Sequence, residues 1–81
     1  MQPEFPITIA EWRKNGREVI RVRLTLYKGR ELIELRVYYR EPSGEHKPTR
    51  KGINLPIKHL SAVQEALEAA QMAAQARGWI S

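Results

Sequence analysis

The segment EVIRVRLTLY, residues 18–27, alternates between two kinds of side chain along its length. From Ile20 onward its even-numbered positions are aliphatic, whereas its odd-numbered positions include Arg21, Arg23 and Tyr27. A period of two is typical of a half-buried β-strand, because successive side chains point to opposite faces of a sheet. This segment therefore predicts a sheet with one apolar face and one largely basic face, the basic face ending in an aromatic ring.

Three further segments carry strand signals. Residues 5–14 and 30–40 repeat the alternation, and residues 51–55 form a short fourth strand after a loop. Asn15-Gly16 supplies two residues that tolerate positive φ, which predicts a type I′ turn between the first two strands. Lys28-Gly29 makes the next turn, where glycine supplies a permissive backbone. The pattern predicts four consecutive antiparallel strands.

The C-terminal third of the chain is rich in good helix formers, especially alanine, and predicts one helix over residues 57–77. Pro56 suits the first turn, and Gly78 is placed to cap the end. With the strands, this makes a single α+β domain over residues 1–81, of order β-β-β-β-α. Apolar residues recur along the helix at spacings of three and four, giving one stripe. The stripe and the tryptophan after it form the candidate dimer interface: Leu60, Val63, Leu67, Ala70, Ala74 and Trp79.

The charge of the chain is concentrated in its middle. The net charge is +5 over 81 residues, yet residues 13–51 carry twelve of the 14 Lys and Arg side chains against five Glu. A basic segment is often only a solvated surface, but this uneven distribution, combined with aromatic residues, favours nucleic-acid binding. The chain has no cysteine, no apolar run long enough to span a membrane and no signal-peptide pattern at its start. We therefore expect a soluble cytoplasmic protein.

Enzyme chemistry has no candidate site in this sequence. His46 and His59 are isolated and, without cysteine, leave no plausible zinc ligand set. No serine lies in a nucleophile motif, and no phosphate-binding loop is present. Glu31 and Glu34 are expected to pair with Arg or Lys across the sheet, and the glycines at 29, 44 and 52 are interpreted as turn or strand-end residues. We expect neither catalysis nor a cofactor.

Cations and tyrosines share the basic strands and the turns that join them. Cations follow a phosphate backbone and aromatic rings stack on bases, so these residues predict a groove for single-stranded nucleic acid. The alternative role for the tyrosines is packing in a core or an interface. By alternation, one of Tyr38 and Tyr39 should be in the core and the other at the surface.

A set of short motifs between residues 24 and 55 is more specific than composition. In order and without a gap, the motifs are Tyr27-Lys28-Gly29-Arg30, Leu32-Ile33-Glu34-Leu35-Arg36, Tyr38-Tyr39, Pro42, Gly44-Glu45, Lys47-Pro48, Arg50-Lys51-Gly52-Ile53 and Leu55. This segment closely resembles the single-stranded-DNA-binding domain of positive cofactor four, a eukaryotic transcriptional coactivator, and its bacterial relatives. The resemblance implies a curved four-stranded antiparallel sheet with a C-terminal helix. It also implies a symmetric homodimer, built from helices and sheet edges, that binds single-stranded or melted DNA with little sequence preference.

The resemblance assigns roles to individual residues. It implies DNA contacts at Tyr27, Lys28 and Arg30 of the turn, at Arg36, and at the basic pair Arg50-Lys51. The base-stacking tryptophan of the family falls on Tyr39. The complete candidate set for nucleic-acid binding is Arg21, Arg23, Tyr27, Lys28, Arg30, Arg36, Tyr38, Tyr39, Lys47, Arg50 and Lys51.

The sequence departs from the family pattern in three ways. Tyr39 replaces the family's tryptophan, so weaker stacking is expected there. Alternation places Tyr39 on the face opposite Arg36, so either a bulge re-aims Tyr39 or Tyr38 is the stacking ring. The acidic, serine-rich regulatory region of the eukaryotic coactivator has no counterpart in the sequence, which suggests a bacterial stand-alone domain associated with the nucleoid.

Three hypotheses follow for function. The first is a homodimeric, sequence-tolerant single-stranded-DNA-binding protein that acts in transcription regulation or in DNA repair or replication. The second is single-stranded RNA binding, because nothing in the sequence visibly reads the 2′-hydroxyl group. The third is a protein-interaction module of the transcription machinery, which would use the alanine-rich helix and Trp79.

Overall fold

The computed structural model describes residues 5–81 and contains one open antiparallel sheet followed by a helix. The strand order is β1-β2-β3-β4, the same as the chain order. This confirms the predicted α+β fold with four antiparallel strands and a C-terminal helix. The elements are β1 (Ile7–Arg13), β2 (Glu18–Tyr27), β3 (Arg30–Arg40), β4 (His46–Pro56), a 3₁₀ turn (Ile57–His59) and α1 (Leu60–Ala76).

The two faces predicted from β2 continue across the sheet, because residues paired in neighbouring strands share a face. Val22 lies opposite Leu35 on one face, and Arg23 lies opposite Glu34 on the other. We call the first the apolar face; its side chains are Trp12, Ile20, Val22, Leu24, Ile33, Leu35, Val37, Tyr39 and Ile53. We call the second the basic face; its central side chains are Arg21, Arg23, Glu34, Arg36 and Tyr38.

The loop between β1 and β2 differs from the sequence prediction. Asn15-Gly16 does not form a type I′ turn, because neither residue has a positive φ. Instead the Asn15 side-chain oxygen accepts hydrogen bonds from the backbone N–H groups of Arg17 (3.0 Å) and Glu18 (2.9 Å). Asparagine commonly stabilises a turn in this way, since its side chain imitates a backbone acceptor. The loop therefore spans residues 14–17 and needs no left-handed residue.

The turn between β2 and β3 has the geometry that the sequence assigned to the preceding loop. Lys28 has φ 50° and Gly29 has φ 76°, and Tyr27 pairs with Arg30. Two successive positive φ values are required by a type I′ turn, whose twist matches that of the flanking strands. Lys28 is the only non-glycine residue with positive φ between residues 5 and 81. The turn holds Tyr27, Lys28 and Arg30 together at one end of the sheet.

Strand β4 is longer than predicted and is interrupted in the middle. It starts at His46 rather than at residue 51, after a turn that Gly44 (φ 94°) allows. Pro48 lies opposite Tyr38 and Gly52 opposite Arg36, so three residues, Thr49–Lys51, lie opposite Val37 alone. We call this irregular segment the β4 bulge. It breaks the period of two, which is why the sequence pattern revealed only the end of the strand.

Gly52 lies inside β4 and not at a turn or a strand end, as the sequence interpretation had it. A Cβ atom at this position would lie 2.7 Å from the carbonyl oxygen of Leu35 and 2.8 Å from the Cα and Cβ atoms of Arg36. No side chain fits there without moving β3. Glycine therefore lets β4 approach β3 closely directly after the β4 bulge.

The helix is close to its predicted bounds but begins differently. Its first turn, Ile57–His59, is 3₁₀, and α1 ends at Ala76. The N–H groups of Gly78 and Trp79 donate to the carbonyl oxygens of Gln75 (3.0 Å) and Ala74 (2.9 Å), and Gly78 has φ 75°. These two bonds define a Schellman motif and confirm the predicted glycine cap.

The single chain covers its apolar surface poorly. Between residues 5 and 81 only Glu34, Val37 and Tyr38 are buried, and no residue of α1 is. Leu67 is 61% exposed and Trp79 is 75% exposed, so Trp79 does not pack on the sheet of its own chain. An open groove of about 420 Å³ separates α1 from the apolar face.

Within the part of the chain that the structure describes, no helix is long and apolar enough to cross a membrane.

Candidate nucleic-acid interface

The centre of the basic face is a buried carboxylate that binds two arginines. Glu34 is 6% exposed and lies opposite Arg23 in the β2–β3 register, which confirms the predicted cross-strand pairing for this residue. Nε of Arg23 donates to one carboxylate oxygen, and Nε of Arg36 donates to the other at 2.9 Å. The Tyr38 hydroxyl adds a third hydrogen bond at 3.2 Å. Glu34 thus fixes two of the arginines predicted to contact phosphate.

The hydrogen bonds also set the charge of this cluster. Burial raises the pKa of Glu34, but hydrogen bonds from Arg23 and Arg36 outweigh it and leave the pKa below its usual value. The carboxylate is therefore ionised at neutral pH. Since one negative charge offsets two positive ones, the cluster keeps a net positive charge while each arginine has a partner.

Tyr38 lies beneath the arginines instead of beside them. Its ring is 3% exposed, and the guanidinium carbons of Arg21 and Arg23 lie 4.6 Å and 5.4 Å from the ring centroid. Burial and the charge of Glu34 raise the pKa of Tyr38, which keeps its hydroxyl protonated. In this arrangement the ring supports the arginines by cation–π contact and is not accessible to a base.

Tyr39 is at the surface, so alternation correctly placed one tyrosine in the core and one outside. Its ring is 39% exposed, and its hydroxyl donates to Glu41 at 3.4 Å. The bulge lies in β4 and the β2–β3 register is unbroken, so Tyr39 stays on the apolar face. Lys47 lies opposite Tyr39 in the β3–β4 register. These two residues therefore form a group separate from the basic face.

The β2–β3 turn presents an exposed aromatic ring beside a cation. Tyr27 is 60% exposed, and the ammonium nitrogen of Lys28 lies 5.3 Å from the centre of its ring. Arg30 is exposed on the other side of the turn. The type I′ geometry of the backbone thus sets the positions from which the three side chains leave the sheet.

The β4 bulge is fixed by hydrogen bonds that the sequence did not reveal. The Thr49 hydroxyl donates to the carbonyl oxygen of Val37 (2.8 Å) and accepts from the N–H of Lys51 (3.1 Å). Nη1 of Arg36 donates to the Thr49 carbonyl oxygen at 3.1 Å, and its Nη2 donates to Asn54. Arg50 and Lys51 point from this bulge as exposed cations without a carboxylate within 4 Å among residues 5–81.

The structure thus divides the candidate residues into groups. The turn carries Tyr27, Lys28 and Arg30; the basic face carries Arg21, Arg23, Arg36 and Tyr38; the bulge carries Arg50 and Lys51; and the apolar face carries Tyr39 beside Lys47. Arg21 is itself paired with Glu11.

Sequence reasoning missed Thr49 and Asn54, for which the pattern offered no signal. It proposed an ion pair for Glu34, but not a carboxylate shared by two arginines.

No group of three His, Asp or Glu side chains between residues 5 and 81 is placed to hold an ion.

Comparisons with known proteins show the family and the fold. Residues 14–66 match the family model of Transcriptional Coactivator p15 (PC4). A crystal structure of a PC4 homologue from Burkholderia pseudomallei is 28% identical over 88% of this chain and 96% of that chain, with a TM-score of 0.77. The crystal structure of the MoSub1–DNA complex is 30% identical over 85% of this chain and 84% of that chain, with a TM-score of 0.63.

A third structure has the same fold at lower identity. It is the bacteriophage T5 homologue of the eukaryotic coactivator PC4 implicated in recombination-dependent DNA replication. It is 19% identical over 91% of this chain and 83% of that chain, with a TM-score of 0.64. At this identity the likeness shows the fold alone.

Proposed function

This chain belongs to the family of Transcriptional Coactivator p15 (PC4), and from this premise we propose that it binds single-stranded DNA as a homodimer, with little sequence preference. The observation that carries the proposal is the β2–β3 turn, where the exposed Tyr27 ring lies beside Lys28. A related protein, MoSub1, was crystallised with DNA. The proposed setting is single-stranded DNA exposed during transcription, replication or repair in the bacterial nucleoid.

The turn offers the two contacts that a flexible strand requires. An exposed aromatic ring accepts the face of any base, and stacking is worth about 1–3 kcal/mol per base. Lys28 and Arg30 provide cations for the phosphates on either side of that base. A duplex hides the faces of its bases, so Tyr27 has nothing to stack on in double-stranded DNA. The same turn therefore favours single strands.

The other cations contribute in two different ways. Arg50 and Lys51 are exposed, and we propose that they contact phosphates directly. Arg36 has all three of its side-chain nitrogens engaged by Glu34, Thr49 and Asn54. We propose that it acts mainly by holding the β4 bulge in place, while Arg21 and Arg23 add positive potential from the basic face. Tyr39 and Lys47 form a separate group on the apolar face, where we propose that the exposed Tyr39 ring stacks on a further base.

Fluorescence anisotropy of a labelled oligo-dT of about 20 nucleotides tests the proposal. We expect tight binding that unlabelled duplex of the same length fails to displace. The logarithm of affinity should fall by about 0.7 per log unit of salt for each phosphate contact, because counterions are released from the strand.

The competitors distinguish the remaining hypotheses. A matched single-stranded RNA that displaces the oligo-dT as well as DNA does would shift the proposal to RNA. Displacement by duplex, or an affinity that does not change with salt, would contradict the single-strand groove. Absence of any binding at low salt would leave a protein-interaction module as the remaining explanation.

The proposed dimer has a quantitative basis in the surface of the single chain. The accessible area is 6757 Å², whereas a compact monomer of 9.4 kDa exposes about 5,000 Å². The radius of gyration is 15.0 Å, against about 12 Å for a compact domain of this length. The excess, about 1,750 Å², is roughly twice one side of a stable interface, which is about 800 Å². A second copy of this chain is the proposed cover. It covers α1 and the part of the apolar face next to it, around Val22, Ile33 and Leu35, and leaves Trp12 and Tyr39 uncovered.

We expect light scattering at micromolar concentration to give twice the chain mass of 9.4 kDa. Leu67→Glu should give the single-chain mass, because it places a charge in the middle of the apolar stripe. Ala69→Glu is the matched control, since two residues along a helix turn the side chain to the other side. A wild-type mass of 9.4 kDa, or an equal effect of both variants, would refute this interface.

A further inference from the structure

A second group of cations lies at the end of the sheet away from the β2–β3 turn. Strand β2 separates the two ends by about 30 Å, at roughly 3.3 Å per residue. At this far end, a cleft of about 390 Å³ is lined by Trp12, Arg13, Arg17, Arg40 and His46, together with residues of the β1–β2 loop. None of these five residues belongs to the candidate set for the proposed groove.

The fold brings these side chains together from four separate elements. The N–H of Arg40 donates to the carbonyl oxygen of Arg17 at 2.8 Å, which ties the end of β3 to the loop. His46, the first residue of β4, lies opposite Arg40. Arg13 is the last residue of β1 and follows Trp12 directly. The cleft is therefore part of the sheet and not of one mobile loop.

The charges in the cleft are unbalanced. Its two carboxylates already have partners: Glu11 binds Arg21, and Glu18 binds Lys14 at 3.1 Å and the Asn15 amide at 2.7 Å. By contrast, the salt bridges within residues 5–81 include none from Arg13, Arg17 or Arg40. Three arginines thus line one cleft without a salt-bridge partner among residues 5–81. Guanidinium groups bind phosphate oxygens through paired N–H donors.

We propose that this cleft binds a phosphodiester group of the same nucleic-acid strand, beyond the part held at the β2–β3 turn. Trp12 is 49% exposed at the rim, where its ring can stack on the base next to that phosphate. A cleft lined by a tryptophan as well as three arginines fits a nucleotide better than it fits a free anion. The inference rests on the proposed function and extends the contact surface by one cleft per chain.

Trp12 provides a direct probe of the cleft. The chain has two tryptophans, so Trp79→Phe leaves Trp12 as the only one. In this background, oligo-dT of about 20 nucleotides should quench tryptophan fluorescence, because stacked bases quench indole, and should raise the anisotropy of the label in parallel. Inorganic phosphate at matched ionic strength should not reproduce the quenching.

Neutralising the cleft should remove this signal selectively. Arg17→Gln with Arg40→Gln, in the Trp79→Phe background, is expected to abolish the quenching. It should also lower the affinity for the same oligo-dT about tenfold and reduce the salt slope by about 1.4. The matched control is Lys58→Gln with Arg77→Gln, which removes the same charge from exposed positions near the two ends of the helix. In the control variant, oligo-dT should quench Trp12 fluorescence as strongly as it does in Trp79→Phe alone.

The outcomes separate this inference from the proposed function. If anisotropy rises while Trp12 fluorescence does not change, nucleotide binding in the cleft would be overturned and the proposed function would stand. This result is obtained without any substitution in the cleft. Equal behaviour of the cleft variant and its control, or quenching by inorganic phosphate alone, would overturn it as well. Absence of an anisotropy change in the wild-type protein would overturn both proposals.

Discussion

Substitution of Lys28 and Arg50 by glutamate together is expected to abolish binding of single-stranded DNA while leaving the fold intact. Lys28 lies at the tip of the β2–β3 turn, and Arg50 is exposed on the β4 bulge, so neither side chain is buried. Each change removes one of the proposed phosphate contacts and adds a charge that repels the strand. We expect an affinity loss of about 100-fold or more, and a salt slope smaller by about 1.4 because two counterion-releasing contacts are lost.

Anisotropy with oligo-dT measures this effect, and thermal unfolding checks that the sheet remains. The left-handed backbone at Lys28 is strained equally by lysine and glutamate, so the comparison is not affected by backbone preference. Lys58→Glu with Arg77→Glu is the control, since it changes the net charge by the same amount at exposed positions away from the turn and the bulge. If the control lost as much affinity, net charge and not position would explain binding, and the proposed groove would be wrong.

Glu34→Gln is expected to destabilise the protein by about 3–5 kcal/mol, the usual cost of removing one partner from a buried ion pair. The substitution leaves Arg23 and Arg36 next to each other without the carboxylate that both bind. A domain of this size has a total stability of about 5–15 kcal/mol, so the variant should be close to unfolding. Urea denaturation of both proteins measures the difference. Glu31→Gln is the control, because Glu31 is exposed on the same strand and should change stability by less than about 0.5 kcal/mol.

The same residue predicts a dependence of stability on pH. The pKa of Glu34 is lower in the folded protein than its ordinary value of 4.5. The ionised carboxylate therefore stabilises the fold fully above that ordinary value, and the contribution is lost as pH falls through the lower, folded pKa. Wild-type stability should decline in this acidic range, and the decline should be smaller in Glu34→Gln. Parallel declines in the two proteins would show that Glu34 is not the group that titrates.

The regular part of the sheet could be predicted from the sequence because each signal there is local. Strands β2 and β3 have the bounds that alternation predicted, residues 18–27 and 30–40. The turns could not be distinguished in the same way. Asn15-Gly16 has the composition of a type I′ turn, but the asparagine side chain stabilised a different loop. Lys28-Gly29, with a less favourable first residue, adopted the type I′ geometry because the two strands pair without a shift.

The candidate site could be predicted only as a set of residue types. Alternation placed Tyr38 on the basic face, but its burial depends on the arginines that cover it, which come from another strand. The role of Glu34 depends in the same way on Arg23 of β2 and on Arg36 two residues along β3. The β4 bulge depends on a threonine hydroxyl that reaches the backbone of the neighbouring strand. Such contacts are tertiary, so a pattern within one segment does not contain them.

The sequential strand order has a consequence for how the chain reaches this structure. Every strand pairs with the strand that precedes or follows it, so no pairing requires a long loop to close first. Sheets usually fold slowly because their contacts join distant parts of the chain, and this topology avoids most of that cost. The two-residue turn makes the β2–β3 hairpin the natural starting point for folding. During synthesis β1 is already present and can add to one side, and β4 can add to the other side when it follows.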